Sequence, residues 1–151
     1  PGRTEIFLFA IQSYGPIHVQ QGASILRAVT EAQQIGRRLG GGTQLEQNLR
    51  LTFDPGKHTR SVILTDEQAF PHGKPDTAWM IPEKTPLYVW NVAGYQHGAI
   101  QYGPNKVGLG GLTDASFTLM QRYESSKSGL WPWQIAPPVT EDHNEDDEEE
   151  T

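Results

Sequence analysis

The chain contains no cysteine among its 151 residues, so disulfide bonds, thiolate metal sites and cysteine nucleophiles are excluded within it. The absence of cysteine suits a reducing compartment, and we expect a cytoplasmic location. No apolar run approaches the roughly 20 residues that a membrane-spanning helix requires, so no membrane partner is expected. The opening segment, PGRTEIFLFA, does not resemble a signal peptide, because it lacks a basic stretch followed by a long apolar run.

Apolar residues are scarce, at 36% of the chain, and the cause is local. Residues 141–151 read EDHNEDDEEET, with eight carboxylates and no Lys or Arg. Such a segment repels itself and has nothing apolar to bury, which predicts a disordered acidic tail over residues 137–151. The ten other acidic residues face twelve Lys and Arg, so a domain over residues 1–136 is close to neutral.

Apolar and aromatic runs predict the β-strands. Residues 5–11 (EIFLFAI) predict a strand covered on both faces, followed by a turn at Tyr14-Gly15-Pro16 and a hairpin return over residues 17–19. Further strands are predicted at residues 61–65 (SVILT), 86–92 (PLYVWNV) and 106–109 (KVGL).

Helical periodicity lies between these runs. Ser24 is expected to cap a helix that runs to Leu39, and short helices are expected at residues 45–51 and 114–124. The expected inner faces are Ile25, Leu26, Val29, Ala32 and Ile35 in the first helix, Leu45 and Leu49 in the second, and Phe117, Met120 and Tyr123 in the third. Strands that alternate with helices predict a three-layer α/β fold with an open, mostly parallel sheet. Ligands of such sheets bind beyond the carboxyl ends of the strands.

Two predicted loops at that edge carry oxygen ligands. Gly41-Gly42-Thr43 places a hydroxyl at the start of a helix, and Thr65-Asp66 ends an apolar strand in a carboxylate. A hydroxyl and a carboxylate suit a hard cation such as Mg²⁺, which keeps several waters. A helix cap at Thr43 and a plain loop carboxylate at Asp66 remain open as structural alternatives.

The order of these motifs resembles a known family. GGT followed by an apolar strand and TD is similar to two ligand loops of the metal-ion-dependent adhesion site of von Willebrand factor A (vWA) domains. The succession TDEQ, PLYVWNVAGY and GLGGLTDASFTLM resembles the C-terminal vWA domain of the Ro/TROVE family of RNA-binding proteins, over residues 4–123.

The resemblance implies a Rossmann-like vWA fold and a non-catalytic binding module of a Ro-like ribonucleoprotein. Thr43 and Asp66 would contact a divalent cation, and Gly42, Glu67, Asn91 and Tyr95 would line a partner site. Structural turn roles for Asn91 and Tyr95 stay open. Noncoding, Y-type RNA would bind a helical-repeat region outside this chain. The basic residues of this chain are scattered along its sequence.

One motif of the family is missing. The loop Asp-x-Ser-x-Ser, which ends the first vWA strand, occurs nowhere in the chain. Residues 5–11 would correspond to the second strand, so we expect the chain to be a piece that lacks the central first strand. Another polypeptide segment, or a swapped one, would supply it. Cation binding by Thr43 and Asp66 alone would be weak.

A different class of function is also open. An α/β hydrolase or a nucleotide-binding enzyme could use Asp66 with His72 or His97 as acid–base groups. A phosphate loop is excluded, because a helix precedes the glycines and no lysine follows them. The histidine spacing does not fit a zinc site.

Overall fold

The computed structural model describes residues 3–19, 22, 24–66, 78–94, 100–111 and 113–126. It divides into two compact units, Pro1–Thr113 and Asp114–Thr151. The first contains β1 (Thr4–Phe9), β2 (Ser13–Val19), α1 (Ile25–Gly36), α2 (Leu45–Thr52), β3 (Ser61–Thr65), β4 (Leu87–Asn91) and β5 (Lys106–Gly110); the second contains α3 (Asp114–Ser125).

The predicted hairpin is confirmed. β1 pairs antiparallel with β2, with a register shift between Ile6 and Leu8. The predicted return strand was too short, since β2 begins at Ser13. The predicted turn at Tyr14-Gly15-Pro16 is wrong, because these residues lie within β2 and the chain reverses between Phe9 and Ser13. The prediction that β1 is covered on both faces is wrong, because Ile6 is 38% exposed and the following Ile11 is 51% exposed.

The second sheet is parallel, in the order β3-β4-β5. β4 lies in its centre, and its residues from Leu87 to Trp90 are all buried. The core consists of Leu45, Leu49, Ile63, Ala78, Ile81, Leu87, Val89 and Ile100, with Phe9, Phe53 and Met80 packed against it. The chain is therefore a mixed α/β protein whose core lies between this sheet and α2, consistent with a Rossmann-like arrangement.

α1 differs most from its prediction. It ends at Gly36, not at Leu39, and the Ser24 side chain makes no capping hydrogen bond. None of its residues is buried, and Ile25 and Leu26 are 71% and 77% exposed. Its apolar stripe is only partly covered by the described part of the chain, where Ala32 and Ile35 are half-buried.

α2 and α3 lie where the sequence predicts them. Leu45 and Leu49 of α2 are buried, as expected. In α3, Met120 and Tyr123 are buried, whereas Phe117, expected on the same face, is 54% exposed. Within the described residues, no helix has both the length and the apolar character that crossing a membrane requires. The expected acidic tail, 137–151, lies outside the described residues.

Candidate binding edge

The carboxyl end of the parallel sheet carries Asp66 and Asn91. Thr65, the last residue of β3, is in register with Asn91, which in turn is in register with Gly110. The Val92 amide donates a hydrogen bond to the Thr65 carbonyl at 3.0 Å, so the backbone leaving β4 stays beside β3. Asp66 is half-buried and follows Thr65 directly. The edge that the sequence predicts as the binding edge therefore carries both of these polar residues.

Asn91 also builds the turn that follows β4. Its Oδ1 accepts hydrogen bonds from the amides of Ala93 at 3.2 Å and Gly94 at 2.7 Å. Gly94 has a φ of +73°, a conformation that glycine adopts without strain. The structural role considered for Asn91 therefore has a geometric basis, and contact with a partner stays a prediction.

The loop of Thr43 is fixed against the end of β1. The Gln44 amide donates to the Ala10 carbonyl at 2.9 Å, just beyond the last residue of β1. Gly42 has a φ of +96°, and a Cβ atom there would lie 3.1 Å from Ile11 Cγ1. Glycine is thus required at 42 both by conformation and by close approach, and it sets the position of Thr43.

The loop of Thr43 follows α1 and lies beside the end of β1, whereas Asp66 directly follows β3. α2 runs back along β1, because Asn48 in the helix bonds to Ala10 at 2.9 Å while Lys57, beyond the end of the helix, bonds to Glu5 at 2.9 Å. β3 begins four residues after Lys57 and contributes Ile63 to the core shared with α2. The loop of Thr43 therefore lies at the carboxyl end of β1, and Asp66 lies at the carboxyl end of β3.

A group of charged side chains surrounds Glu5 at the opposite, amino end of these strands. The Glu5 side chain is only 5% exposed, and Lys57 Nζ lies 2.7 Å from its Oε1. Its other neighbours are His58 at 3.3 Å, Arg3 at 3.6 Å and His18 at 3.8 Å. Hydrogen bonds from Lys57 and His58 lower the pKa of Glu5 to about 2. The sequence analysis did not identify this group, because 52 residues separate Glu5 from Lys57 and no local pattern connects them.

Thr43 and Asp66 offer oxygen donors of the kind that Mg²⁺ prefers, but two donors leave most of its six positions to water or to other ligands. In the parts of the chain described, no three His, Asp or Glu side chains are grouped so that they could hold a metal ion. Thr43 and Asp66 alone would therefore supply only two ligands of a hard-cation site, and such a site stays a prediction. Four other candidates, Glu67, His72, Tyr95 and His97, lie outside the described residues.

Comparison of the chain with models of protein families, with curated proteins and with solved structures gave no match.

Proposed function

We propose that the chain is a non-catalytic binding module of the vWA type, similar to the C-terminal domain of Ro/TROVE ribonucleoproteins. It contacts a partner and a divalent cation at the carboxyl edge of its strands through Thr43 and Asp66. The observation that supports it most is that the loop of Thr43 lies beside the carboxyl end of β1 and that Asp66 follows the carboxyl end of β3.

The separation into two sheets supports the vWA interpretation. In the described part of the chain, β1 pairs with β2 and β3 pairs with β4, and no ladder joins the two sheets. One strand inserted between β1 and β3 would complete a single sheet in the order β2-β1-new-β3-β4-β5. That is the position of the first strand in the vWA fold. We propose that a separate polypeptide segment provides this strand.

Exposed apolar side chains on β1 and β3 are consistent with an added strand between them. Val62 and Leu64 of β3 are 41% and 53% exposed, and Ile6 of β1 is 38% exposed. Ile63, on the opposite face of β3, is 5% exposed, so only one face of β3 is covered. A completed sheet would remove more apolar surface from water, at roughly 25 cal/mol per Å².

A synthetic peptide tests the proposal directly. The probe is an acetylated strand of six alternating Val and Ile residues, followed by Asp-Gly-Ser-Gly-Ser and three lysines for solubility. We expect the chain to bind this peptide, and Mg²⁺ to tighten the complex, as measured by isothermal titration calorimetry. Slowed amide hydrogen exchange in β1 and β3 would locate the peptide between them.

Substitutions at the candidate ligands distinguish cation binding from binding of the peptide strand. Asp66→Asn and Thr43→Val should abolish the effect of Mg²⁺ and leave peptide binding without Mg²⁺ in place. Asp54→Asn is the matched control, because Asp54 accepts a hydrogen bond from Gly56 through Oδ1 at 2.8 Å, an atom that Asn retains. The absence of peptide binding would contradict the strand vacancy, and an equal Mg²⁺ effect in Asp66→Asn would contradict the cation site.

The proposal assigns noncoding, Y-type RNA to a helical-repeat region outside this chain and a cytoplasmic location to the complex. The chain alone should therefore not retain such RNA at 150 mM salt, a concentration roughly equal to physiological ionic strength. An electrophoretic mobility shift assay with a structured noncoding RNA measures this. A specific shift that survives this salt concentration would assign the RNA to this chain instead.

A further inference from the structure

The group of side chains around Glu5 exposes two cations and buries the carboxylate that they share. Lys57 Nζ lies 2.7 Å from Glu5 Oε1, and Arg3 Nε lies 3.6 Å from the same oxygen. The Glu5 side chain is 5% exposed, whereas the side chains of Arg3 and Lys57 are 64% and 52% exposed. Solvent therefore meets the two positive charges and is largely shielded from the carboxylate.

The shared oxygen limits the distance between the two cations. Because Arg3 Nε and Lys57 Nζ both lie close to Glu5 Oε1, they are no farther apart than the sum of these two short distances. A tetrahedral oxyanion accepts charge-assisted hydrogen bonds of about 2.8 Å on several of its oxygens. One such anion is therefore large enough to contact both cations at once.

Two histidines help to hold this arrangement in place. An arginine side chain only donates, so a ring nitrogen of His18 accepts the hydrogen bond from Arg3 Nη2 at 2.8 Å. His58 Nδ1 accepts from the Asp54 amide at 3.0 Å, which leaves Nε2 as the donor toward Glu5 Oε2 at 3.3 Å. The guanidinium and the carboxylate are therefore oriented before any ligand binds, which lowers the entropy cost of binding.

The group keeps an excess of positive charge. Arg3 and Lys57 carry two positive charges against the one negative charge of Glu5, so one remains even with both histidines neutral. The lowered pKa of Glu5, about 2, keeps the carboxylate ionised and the cations in place at neutral pH. A guanidinium and an ammonium group also have more N–H donors than these contacts use. The remaining charge and donors suit a small anion from solvent.

We propose that Arg3 and Lys57 form a binding site for the terminal phosphate of a phosphate monoester, at the amino end of β1. The planar fork of a guanidinium fits two phosphate oxygens, and the ammonium group contacts a third. A carboxylate has only two oxygens, which the guanidinium alone would occupy, so it gains less from the second cation. A phosphodiester carries a single negative charge and gains less for that reason. The site is separate from the candidate binding edge and does not depend on the strand vacancy.

A chemical-shift titration of the intact chain with methyl phosphate tests this site. At about pH 7.5 a phosphate monoester is mainly a dianion. At constant ionic strength, the Arg3 Nε–H resonance should shift and saturate with a Kd on the order of 1 mM. Dimethyl phosphate, a monoanionic diester, should bind roughly tenfold more weakly, because one charge is lost. This comparison separates a small monoester from the phosphodiester groups of a nucleic acid.

Substitutions of the two cations test whether both contact the anion. Arg3→Met and Lys57→Met should each weaken methyl phosphate binding by roughly tenfold. Arg38→Met and Lys84→Met are the matched controls, because they remove the same charges from exposed residues elsewhere in the chain. Each control should change the affinity by less than about twofold at about 0.15 M salt, where distant surface charges are largely screened. Arg3→Lys keeps the charge and loses the fork, so its affinity should lie between those of the wild type and Arg3→Met.

Three results would contradict the proposal. A shift that does not saturate in the wild type, or equal affinity in Lys57→Met, would mean general attraction to a positive surface and no site. Equal affinity for the monoester and the diester would rule out a terminal phosphate as the ligand. The wild-type titration needs no variant, so its result does not depend on whether Lys57→Met folds.

Discussion

Lys57 Nζ lies 2.7 Å from Glu5 Oε1 and joins the amino end of β1 to the segment that enters β3. The two strands belong to different sheets, and this ion pair connects them across the sequence. The Glu5 carboxylate is 5% exposed, whereas the Lys57 side chain is 52% exposed. The pair therefore links β1 to the segment that leads into β3.

The first prediction concerns pH. The pKa of Glu5 falls from 4.5 to about 2 in the folded chain, because Lys57 and His58 donate hydrogen bonds to the ionised carboxylate. A group with a lowered folded pKa stabilises the fold above its unfolded pKa and loses this effect as pH falls through its folded pKa. The free energy of unfolding should therefore be lower in Glu5→Gln than in the wild type above pH 4.5, and the difference should disappear toward pH 2.

Urea denaturation at several pH values measures this difference, and Lys84→Met is the control. Lys57→Met should reproduce the pH dependence of Glu5→Gln in part, because it removes the largest cause of the lowered pKa of Glu5. Lys84 is exposed in the loop before β4 and should have no such effect. A wild type and a Glu5→Gln variant that differ by the same amount at all pH values would contradict the ionic role of Glu5.

The second prediction compares two neighbours on β3. Ile63 is 5% exposed and belongs to the core, whereas Leu64 is 53% exposed on the other face. Ile63→Ala should lower the free energy of unfolding by about 2–5 kcal/mol, and Leu64→Ala by about 0.5 kcal/mol or less. Urea denaturation of both variants checks this. Equal losses would mean that both faces of β3 are covered in the free chain.

The binding measurement for the same pair of variants should give the reverse order. A segment inserted beside β3 allows the exposed face to be covered, so Leu64→Ala should weaken binding of the Val/Ile peptide. Ile63→Ala should weaken peptide binding less, when affinity is measured under conditions in which this variant is fully folded.

Local sequence patterns predicted most of the elements but not what covers them. β3, β4, β5 and α2 lie within two residues of their predicted bounds, because apolar runs and glycine punctuation determine them locally. The same apolarity predicted covered faces for β1 and α1, where Ile6 and Leu26 are exposed. A sequence shows that a face is suited to burial and does not show whether its partner is present in the same chain.

At the candidate binding edge, too, the sequence predicted some features and not others. Asp66 and Asn91 could be placed at one edge, since parallel strands bring their carboxyl ends together. The contacts of Glu5 with Lys57 and of Asn48 with Ala10 join residues 52 and 38 positions apart. No periodicity or motif encodes such pairs, because tertiary packing alone decides them.

The third prediction concerns the turn after β4. Asn91→Ala removes the oxygen that accepts from the Ala93 and Gly94 amides and should lower the free energy of unfolding by about 1 kcal/mol. Asn91→Asp keeps an acceptor in the same position and should retain most of the stability. Thermal denaturation of both variants measures this. Equal losses would show that the turn does not depend on the acceptor.

The last prediction tests how Gly42 positions Thr43. At a φ of +96°, Gly42→Ala should cost about 1–3 kcal/mol of stability, because the new Cβ meets Ile11 at 3.1 Å in a conformation that L-residues avoid. Gly41→Ala is the matched control, since a Cβ at Gly41 meets nothing within 4 Å. Displacing the loop should also weaken the Mg²⁺ effect on peptide affinity in Gly42→Ala and leave it unchanged in Gly41→Ala. Urea denaturation and calorimetric titration measure the two effects separately. A Gly42→Ala chain that is destabilised but keeps the full Mg²⁺ effect would remove Thr43 from the proposed cation site.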